Sequence, residues 1–549
     1  MYRRIFDIIL VLTIMTIPSL GILQACGGDG PTVPHSPSNQ PPKDNHPPVA
    51  VLKVVSGLEG PTPLTAKLDA SDSSDPDGDD LEFLWLFSDG TNETGAAVEH
   101  MFEQSGRQNV RLMVTDEWGL VDDEGPVDFL CYGLANSAWP KFAHDERNSG
   151  LSPNLGPMID LEHSSEGLGF PRFWRTGQGY ENVNAVCVSY DGVVIYTQGP
   201  SLKAYTAEGL ELWTVEFASE ITSWPAIAWD GSIVLGTVDG WVHRVSSDGE
   251  ILWSLDLSGL TGRTVRLETG VNVDGRPRIY LCGDLLDYSG SVTGAIIFAV
   301  SMDGVLQWSR ILAEYSEEAP RNDCVMSPAI LPNGNIVVNT RRGAIYTPEG
   351  DLVRELEYTM DWFEPSDPLL GPPSVSPDGL IMFSHARGPV FTQEGSFVFE
   401  AFGESANLSF HENYTTGYIQ VPVWGVDGMS LAFYKVDSTT NWPSGYYVFT
   451  RSDYGGMAWV RLTGGSGPTD ISSYHIAGAA EDRLGRLYVS CLGLRAISPI
   501  SSASVYPIAT RRYSIWAYRP ATVHMSAPVI GDDGWLYVGY GSDILAIGD

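Results

Sequence analysis

The stretch SWPAIAWDGSIVLGTVDGWVHRVSSDGEILW, residues 223 to 253, narrows what this chain can fold into more than any other feature. It reads as four short apolar strands with an Asp-Gly pair after each of the first three. Asp-Gly between alternating apolar runs marks a tight hairpin, because both central positions need positive φ. Four strands joined this way form one antiparallel meander. Its first turn recurs at Gly192, Gly231, Gly275, Gly334, Gly379, Gly428, Gly485 and Gly534, spaced 39 to 59 residues apart. The strand after each turn keeps its type, as in VVIYTQG, SIVLGT, LIMFSH and WLYVGY. A repeat of this length cannot bury both of its faces alone and has to stack on its neighbours.

Eight such units stacked about an axis make an eight-bladed β-propeller of four-stranded blades over residues 136–549, which leaves only short, protected edges. An aromatic stands four residues after a glycine in Gly209 to Trp213, Gly249 to Trp253, Gly304 to Trp308, Gly395 to Phe399 and Gly455 to Trp459, while Arg354 takes that place in the fourth copy. Large rings at a fixed repeat position are expected to pack sheet against sheet rather than to cage a ligand. The Ser-x-Pro-Ala-Ile, Asp-Gly and glycine-to-aromatic elements resemble the pyrroloquinoline-quinone (PQQ)-like propeller family. Its quinoprotein dehydrogenases hold their cofactor under adjacent cysteines and bind calcium nearby. No two cysteines adjoin in this chain, so the resemblance implies the fold without the quinone.

Between residues 47 and 132 a smaller β unit is expected, with alternating runs at Ala66-Lys67-Leu68, Leu84-Trp85-Leu86-Phe87 and Val110 to Val114. The pieces DASDSSDPDG, WLFSDG, His100 with Phe102, and VTDEWG resemble the polycystic-kidney-disease (PKD) family, altered at Leu86 and Ser88. That resemblance implies an immunoglobulin-like β-sandwich serving as a spacer or a surface-interaction module. The chain as a whole is thus expected to be all-β, a sandwich followed by a propeller. The loop SDPDGDD gathers Asp75, Asp77 and Asp79, and hard cations want several such oxygens. Ser73 and Leu84 stand where an EF-hand would need its first and last ligands, so that motif is excluded. A solvated acidic turn and a weak calcium site both fit the loop.

The start of the chain, MYRRIFDIILVLTIMTIPSLGILQACGG, has two arginines before an apolar run broken by Pro18, the pattern of an export signal over residues 1–25. Leu23-Gln24-Ala25-Cys26 resembles the lipobox of bacterial lipoproteins, with Gln24 departing from the usual small residue. The resemblance implies acylation of Cys26 and a membrane anchor; a plain signal peptide with a chance cysteine is the other reading. Residues 26–46, rich in proline and glycine, form a tether that cannot bury enough surface to fold. Gly27 stands where an inner-membrane retention signal would place Asp, which by analogy favours an outer-membrane or cell-surface destination. The remaining cysteines, Cys131, Cys187, Cys282, Cys324 and Cys491, lack any close spacing and are expected to be buried thiols.

Acidic residues outnumber basic ones by 68 to 32, for a net charge of -36, and such a surface repels phosphate backbones. Nucleic acid is therefore excluded as a partner. The chain carries no G-x-S-x-G elbow, H-E-x-x-H helix or G-K-[ST] loop, and its histidines form no close pair within the repeats. A non-catalytic binding or scaffold protein that presents the propeller to a protein or glycan at the cell envelope fits best. An assembly factor resembling the propeller lipoprotein of the barrel-assembly machine, and a polymer-degrading enzyme, are the alternatives.

One segment fits no repeat. SAWPKFAHDERNSG, residues 137 to 150, joins the two domains and carries adjacent His144 and Asp145. The last repeat stops at Asp549 after its third strand. Trp139 and Phe142 are therefore expected to supply the missing outer strand beside Ile544 to Ile547 and so to close the ring, removing an open edge. On that reading His144 and Asp145 begin an exposed loop rather than form a catalytic pair.

Overall fold

The computed structural model describes residues 44–135, 137–141, 143–157, 182–315, 327–339, 343–356, 372–376, 378–383, 389–400 and 526–548. It also describes the shorter stretches 423–425, 428–435, 445–451, 457–461, 478–484, 486–490, 494–497, 510–511 and 514–518. Cys26 and Phe142 lie outside the described residues.

Residues 47–132 form two packed sheets. Lys53–Val54, Leu64–Asp69 and Ala97–Phe102 make the smaller one, and the larger runs in the order Glu59–Pro61, Val121–Tyr132, Gly106–Asp116, Leu81–Phe87, Asn92–Thr94. Period-two alternation in Leu64–Asp69 and Gly106–Asp116 sends Ala66, Leu68, Val110, Leu112 and Val114 into the core around the fully buried Trp85. The Trp85 indole donates to the Gly95 carbonyl at 2.8 Å, which satisfies its one buried donor. His100 stacks on Phe87 with ring centroids 3.6 Å apart and reaches the carboxylates of Asp89 and Glu93.

Eight further sheets follow, one for each repeat. Numbered in chain order, their innermost strands are Val183–Val188, Ala226–Ile227, Asn272–Val273, Ala329–Ile330, Pro373–Val375, Val423–Gly425, Gly478–Glu481 and Val529–Ile530. The first turn glycines described, Gly192, Gly231, Gly334, Gly379 and Gly534, have φ near +80°, as the Asp-Gly and Asn-Gly turns require. Blade 3 departs: its turn Asp274-Gly275-Arg276-Pro277 is longer, and Gly275 is not left-handed. One short helix, Leu257–Thr261, leads into that blade; among the described residues it is the only one.

The outer aromatics lace blades 1, 2, 3 and 4 in turn. The Trp213 indole donates to the Ser247 carbonyl of blade 2, Trp253 to Met302 of blade 3, and Trp308 to Pro348 of blade 4, at 2.8 to 2.9 Å. Each ring lies flat on the outer glycine of that neighbour, so close that a Cβ on Gly249, Gly304 or Gly350 would fall 2.9, 2.8 or 2.6 Å from an indole carbon. In the fourth copy the Arg354 guanidinium does the same work, donating to the Glu394 carbonyl and to Ser396 Oγ of blade 5. At Trp213, Trp253 and Trp308 the expected packing of blade on blade holds, and the arginine is a substitute lace; the side chains of Phe399 and Trp459 lie outside the described residues.

Blade 8 closes the ring on blade 1 through its face. Val183 N–H donates to the Gly541 carbonyl at 2.7 Å, the Gln198 amide to Ser542 at 2.9 Å, and one apolar cluster joins Val183, Val186 and Val194 to Leu536, Val538, Ile544 and Ile547. Cys131, Cys187 and Cys282 are buried free thiols. Burial pushes the Cys131 and Cys187 thiols up to about 11 and about 12, which leaves them inert at neutral pH.

Gly350→Val adds a side chain against Trp308 at a φ of +85° and is expected to destabilise the propeller by roughly 1–3 kcal/mol. Arg354→Trp restores the common lace and should leave the melting temperature unchanged or higher, with Arg354→Ala below both. Thermal unfolding of the three variants checks this order.

Candidate functional site

The joining segment does not lie on the outer edge of blade 8. Trp139 pairs with Val188 on the innermost strand of blade 1, and Lys141 with Ala226 of blade 2. Blade 8 has three strands among the described residues, Val529–Ile530, Leu536–Tyr540 and Asp543–Ile547, and Ile544 and Ile547 meet Trp139 only as members of one apolar cluster. The expected strand pairing is thus replaced by a different one. The physical reason is that eight innermost strands converge on the axis, each with an edge of unpaired N–H and C=O groups. A segment placed there satisfies several blades at once. On the rim it would satisfy one.

The contacts repeat. Val188 N–H donates to the Trp139 carbonyl, Ile227 to Pro140, Ile330 to Glu146, Val375 to Arg147 and Glu481 to Gly150, all at 2.8 to 2.9 Å. Every one of these donors stands four residues before the first turn glycine of its repeat. The acceptors follow one another along the chain in the order of blades 1, 2, 4, 5 and 7, so the segment runs round the axis as a collar. Blade 3 joins through its side chain, the Asn272 amide donating to the Glu146 carbonyl at 2.7 Å. Leu134 already bridges to Ala228, so the collar begins two residues before the expected boundary at 136.

Polar side chains hold the collar from within. Asn148, fully buried and left-handed at φ 55°, donates to the carbonyls of Ser327 and Pro328 in blade 4 and Pro373 in blade 5. Its own carbonyl accepts from Ser374 Oγ at 2.7 Å. Its side-chain oxygen accepts from Lys141 Nζ, which is likewise fully buried and also donates to the Asp145 carbonyl. Burial brings the Lys141 ammonium down to about 7 and, helped by Asp145, raises Glu146 to about 7.

His144 and Asp145 are therefore part of the axial structure and not the start of an exposed loop. They do not form an acid–base pair either. Asp145 is taken up by Arg147 Nη2 at 3.0 Å and by the N–H and hydroxyl of Ser149, and these partners hold its carboxyl low against the loss of solvent. The His144 ring stands edge-on to Trp139 at 5.1 Å, and both of its nitrogens are buried with no hydrogen-bond partner among the described residues. Desolvation lowers it to about 4. Because its folded value lies below the ordinary 6.5, its contribution to stability is complete above about pH 6.5 and is lost as pH falls towards 4. His144→Gln should lose less stability than the parent over that window in pH-dependent denaturation.

A second cluster lies at the outer end of the small domain. Carboxylate oxygens of Asp75, Asp79 and Asp116 fall within 4.8 Å of one another. Asp75 Oδ2, Asp79 Oδ2 and Asn45 Oδ1 are all buried without a partner, and the Asn45 amide donates to Asp116 at 2.8 Å. Asp77, expected as a ligand, turns instead to the His46 backbone and ring at 2.7 and 3.1 Å. Asp116 and Asn45 escaped the sequence reading because they stand some forty and thirty residues from the loop; only the Asp of VTDEWG pointed towards them. Loss of solvent and the neighbouring carboxylates Asp75, Glu117 and Asp116 raise the Asp79 carboxyl. A cation among hard oxygens relieves that repulsion, and three carboxylates with one amide suit calcium.

Comparison with known proteins fits this geometry. The sequence pattern of the PKD domain matches residues 45–129. Residues 45–129 are a PKD domain. No curated protein matches the chain. Among solved structures, the quinohemoprotein alcohol dehydrogenase from Comamonas testosteroni is similar over 75% of this chain and 81% of its own, at 11% identity and a TM-score of 0.52. BamB from Moraxella catarrhalis is similar over 56% of this chain and 80% of its own, at 16% identity and a TM-score of 0.37. The propeller thus has a quinoprotein-like fold. Among the described residues no two cysteines stand together as the quinone-holding pair would. The axis is filled by the collar, and Cys187 and Cys282 lie buried in different blades. Beside Trp139 a cleft of about 260 Å³, counting the solvent at its mouth, is lined by Asn184, Val186, Trp224, Ala527 and Val529. Its enclosed space is about 10 Å³, room for about one water molecule.

Calcium at one hundred times its dissociation constant is expected to stabilise the PKD domain by about 2.7 kcal/mol, leaving the propeller transition in place. Asp116→Asn should abolish most of that shift and Asp77→Asn should not. Calorimetry of the full chain with calcium and with chelator distinguishes them.

Proposed function

We propose that the protein is a non-catalytic binding or scaffold protein of the cell envelope, lipid-anchored at Cys26 and tethered through residues 26–46, that offers its propeller to a protein or glycan at the outer membrane or cell surface. The observation that carries this reading is the collar. The central axis, where a propeller most readily builds an enclosed site, is occupied by the chain's own residues 139–150, which directs recognition to the outer surface.

The PKD domain supports the same assignment by its position. Thr62 N–H donates to the Gly275 carbonyl, Tyr132 packs on Trp229 at 4.8 Å, and the Arg107 guanidinium stands 5.9 Å from the Tyr190 ring. These partners are first-turn residues of blades 3, 2 and 1. The domain therefore rests on blades 1 to 3 at one face of the propeller, and the opposite face and the rim are the surfaces offered to a partner. Calcium in the Asp75, Asp79, Asp116 and Asn45 cluster would fix the end of the tether to this body. The net charge of -36 favours a partner with basic or neutral chemistry and disfavours nucleic acid.

Cys26→Ser is expected to move the mature protein from the membrane to the soluble fraction, and unchanged membrane association would refute the anchor. With the anchor removed, the immobilised chain should retain envelope protein or polysaccharide. Retention that is equal on the isolated PKD segment would move the binding role away from the propeller.

A further inference from the structure

The collar has the geometry of a bound peptide. It is bent by turns at Lys141 to His144 and Asp145 to Asn148, it lies against the free edges of short strands, and its carbonyls accept from donors that occupy one and the same position in blades 1, 2, 4, 5 and 7. Strand edges that capture an extended chain take most of their affinity from such main-chain bonds and their specificity from side-chain anchors. Here the anchors are Trp139, 2% exposed in the cluster between blades 8 and 1, and Asn148, whose amide ties blade 4 to blade 5. A large aromatic buried in a well-packed apolar pocket is the pattern of an interface hot spot.

We propose that the ring of axial N–H groups is a peptide-binding site filled in cis: residues 134–152 are a ligand of the propeller, held by their own contacts and not by covalent continuation into blade 1. The ligand chemistry is a turned peptide with a tryptophan at its start and, nine residues later, an asparagine able to adopt a left-handed backbone. Covalent linkage keeps that peptide at high effective concentration, which is why the site stays filled. The proposal is independent of the lipid anchor and of whatever the outer surface binds.

The test uses the full chain with a specific protease site inserted after Pro157. After cleavage, the fragment bearing the PKD domain and collar should co-elute with the propeller in gel filtration at about 1 µM. Tyr132→Ala, which weakens only the PKD contact, should leave co-elution intact. Trp139→Ala with Asn148→Ala should release the fragment. Circular dichroism of the uncleaved double variant checks that it folds. The milder Ser374→Ala, which removes one bond to the collar from blade 5, should weaken association about fivefold in a dilution series. Separation of the cleaved wild type overturns the proposal. So does release by Tyr132→Ala with the Ser374→Ala variant indistinguishable from wild type, since the PKD face alone would then hold the fragment.

Discussion

A β-propeller brings the free edges of all its blades to one line, and the backbone groups along those edges need partners. In a narrow axis water reaches them poorly, and an unpaired buried N–H loses free energy comparable to a whole hydrogen bond. In this protein the partner is the chain itself. One collar, Trp139 to Gly150, supplies a carbonyl to the same N–H in five blades, and Asn148, braced by Lys141, ties it further to blades 4 and 5. The left-handed backbone at Ala143, His144 and Asn148 shows how tightly the path is bent to meet those donors in blade order.

The rim is organised by a different interaction. Trp213, Trp253 and Trp308 each span the gap to the next blade, lie on a glycine that has no Cβ to displace the ring, and give their N–H to a carbonyl beside that glycine. Ring and glycine act as one device. Arg354 shows which part is essential: a flat, donor-bearing group of about that reach serves in place of the indole. Among the described residues, laces on the rim join blades 1 to 5 and the collar joins blades 1, 2, 4, 5 and 7, and the ring closes by packing between blades 8 and 1.

Because the collar follows directly on the last strand of the PKD domain, Val121–Tyr132, that domain has no slack with which to swing away. It rests on the first turns of blades 1 to 3, and the unpartnered oxygens of its acidic cluster lie where the tether arrives at Asn45. The proposed envelope role joins these features: a tether, a cation cluster where it ends, a docked spacer, and a propeller whose axis is already taken.

Much of this architecture is written locally. Asp-Gly turns fix φ within two residues, strand alternation fixes which side chains face inward, and the repeated glycine-to-aromatic spacing fixes the lace, so the sandwich, the eight blades and the packing role of the aromatics could all be read from sequence. The same holds for Asp75 and Asp79, neighbours in one loop. What sequence could not decide was any pairing between distant groups. Asp116 and Asn45 join the acidic cluster only when two sheets fold together, and Asp77 leaves it because His46 arrives from the tether. The joining segment has no periodicity to betray its partners. Reasoning from strand edges rightly required that it cover one, but the rim of one blade and the axis of eight look identical in a linear chain. Only the closed ring makes the axis the place where a single segment can satisfy many blades, and it is there that Trp139, His144 and Asn148 become interior residues.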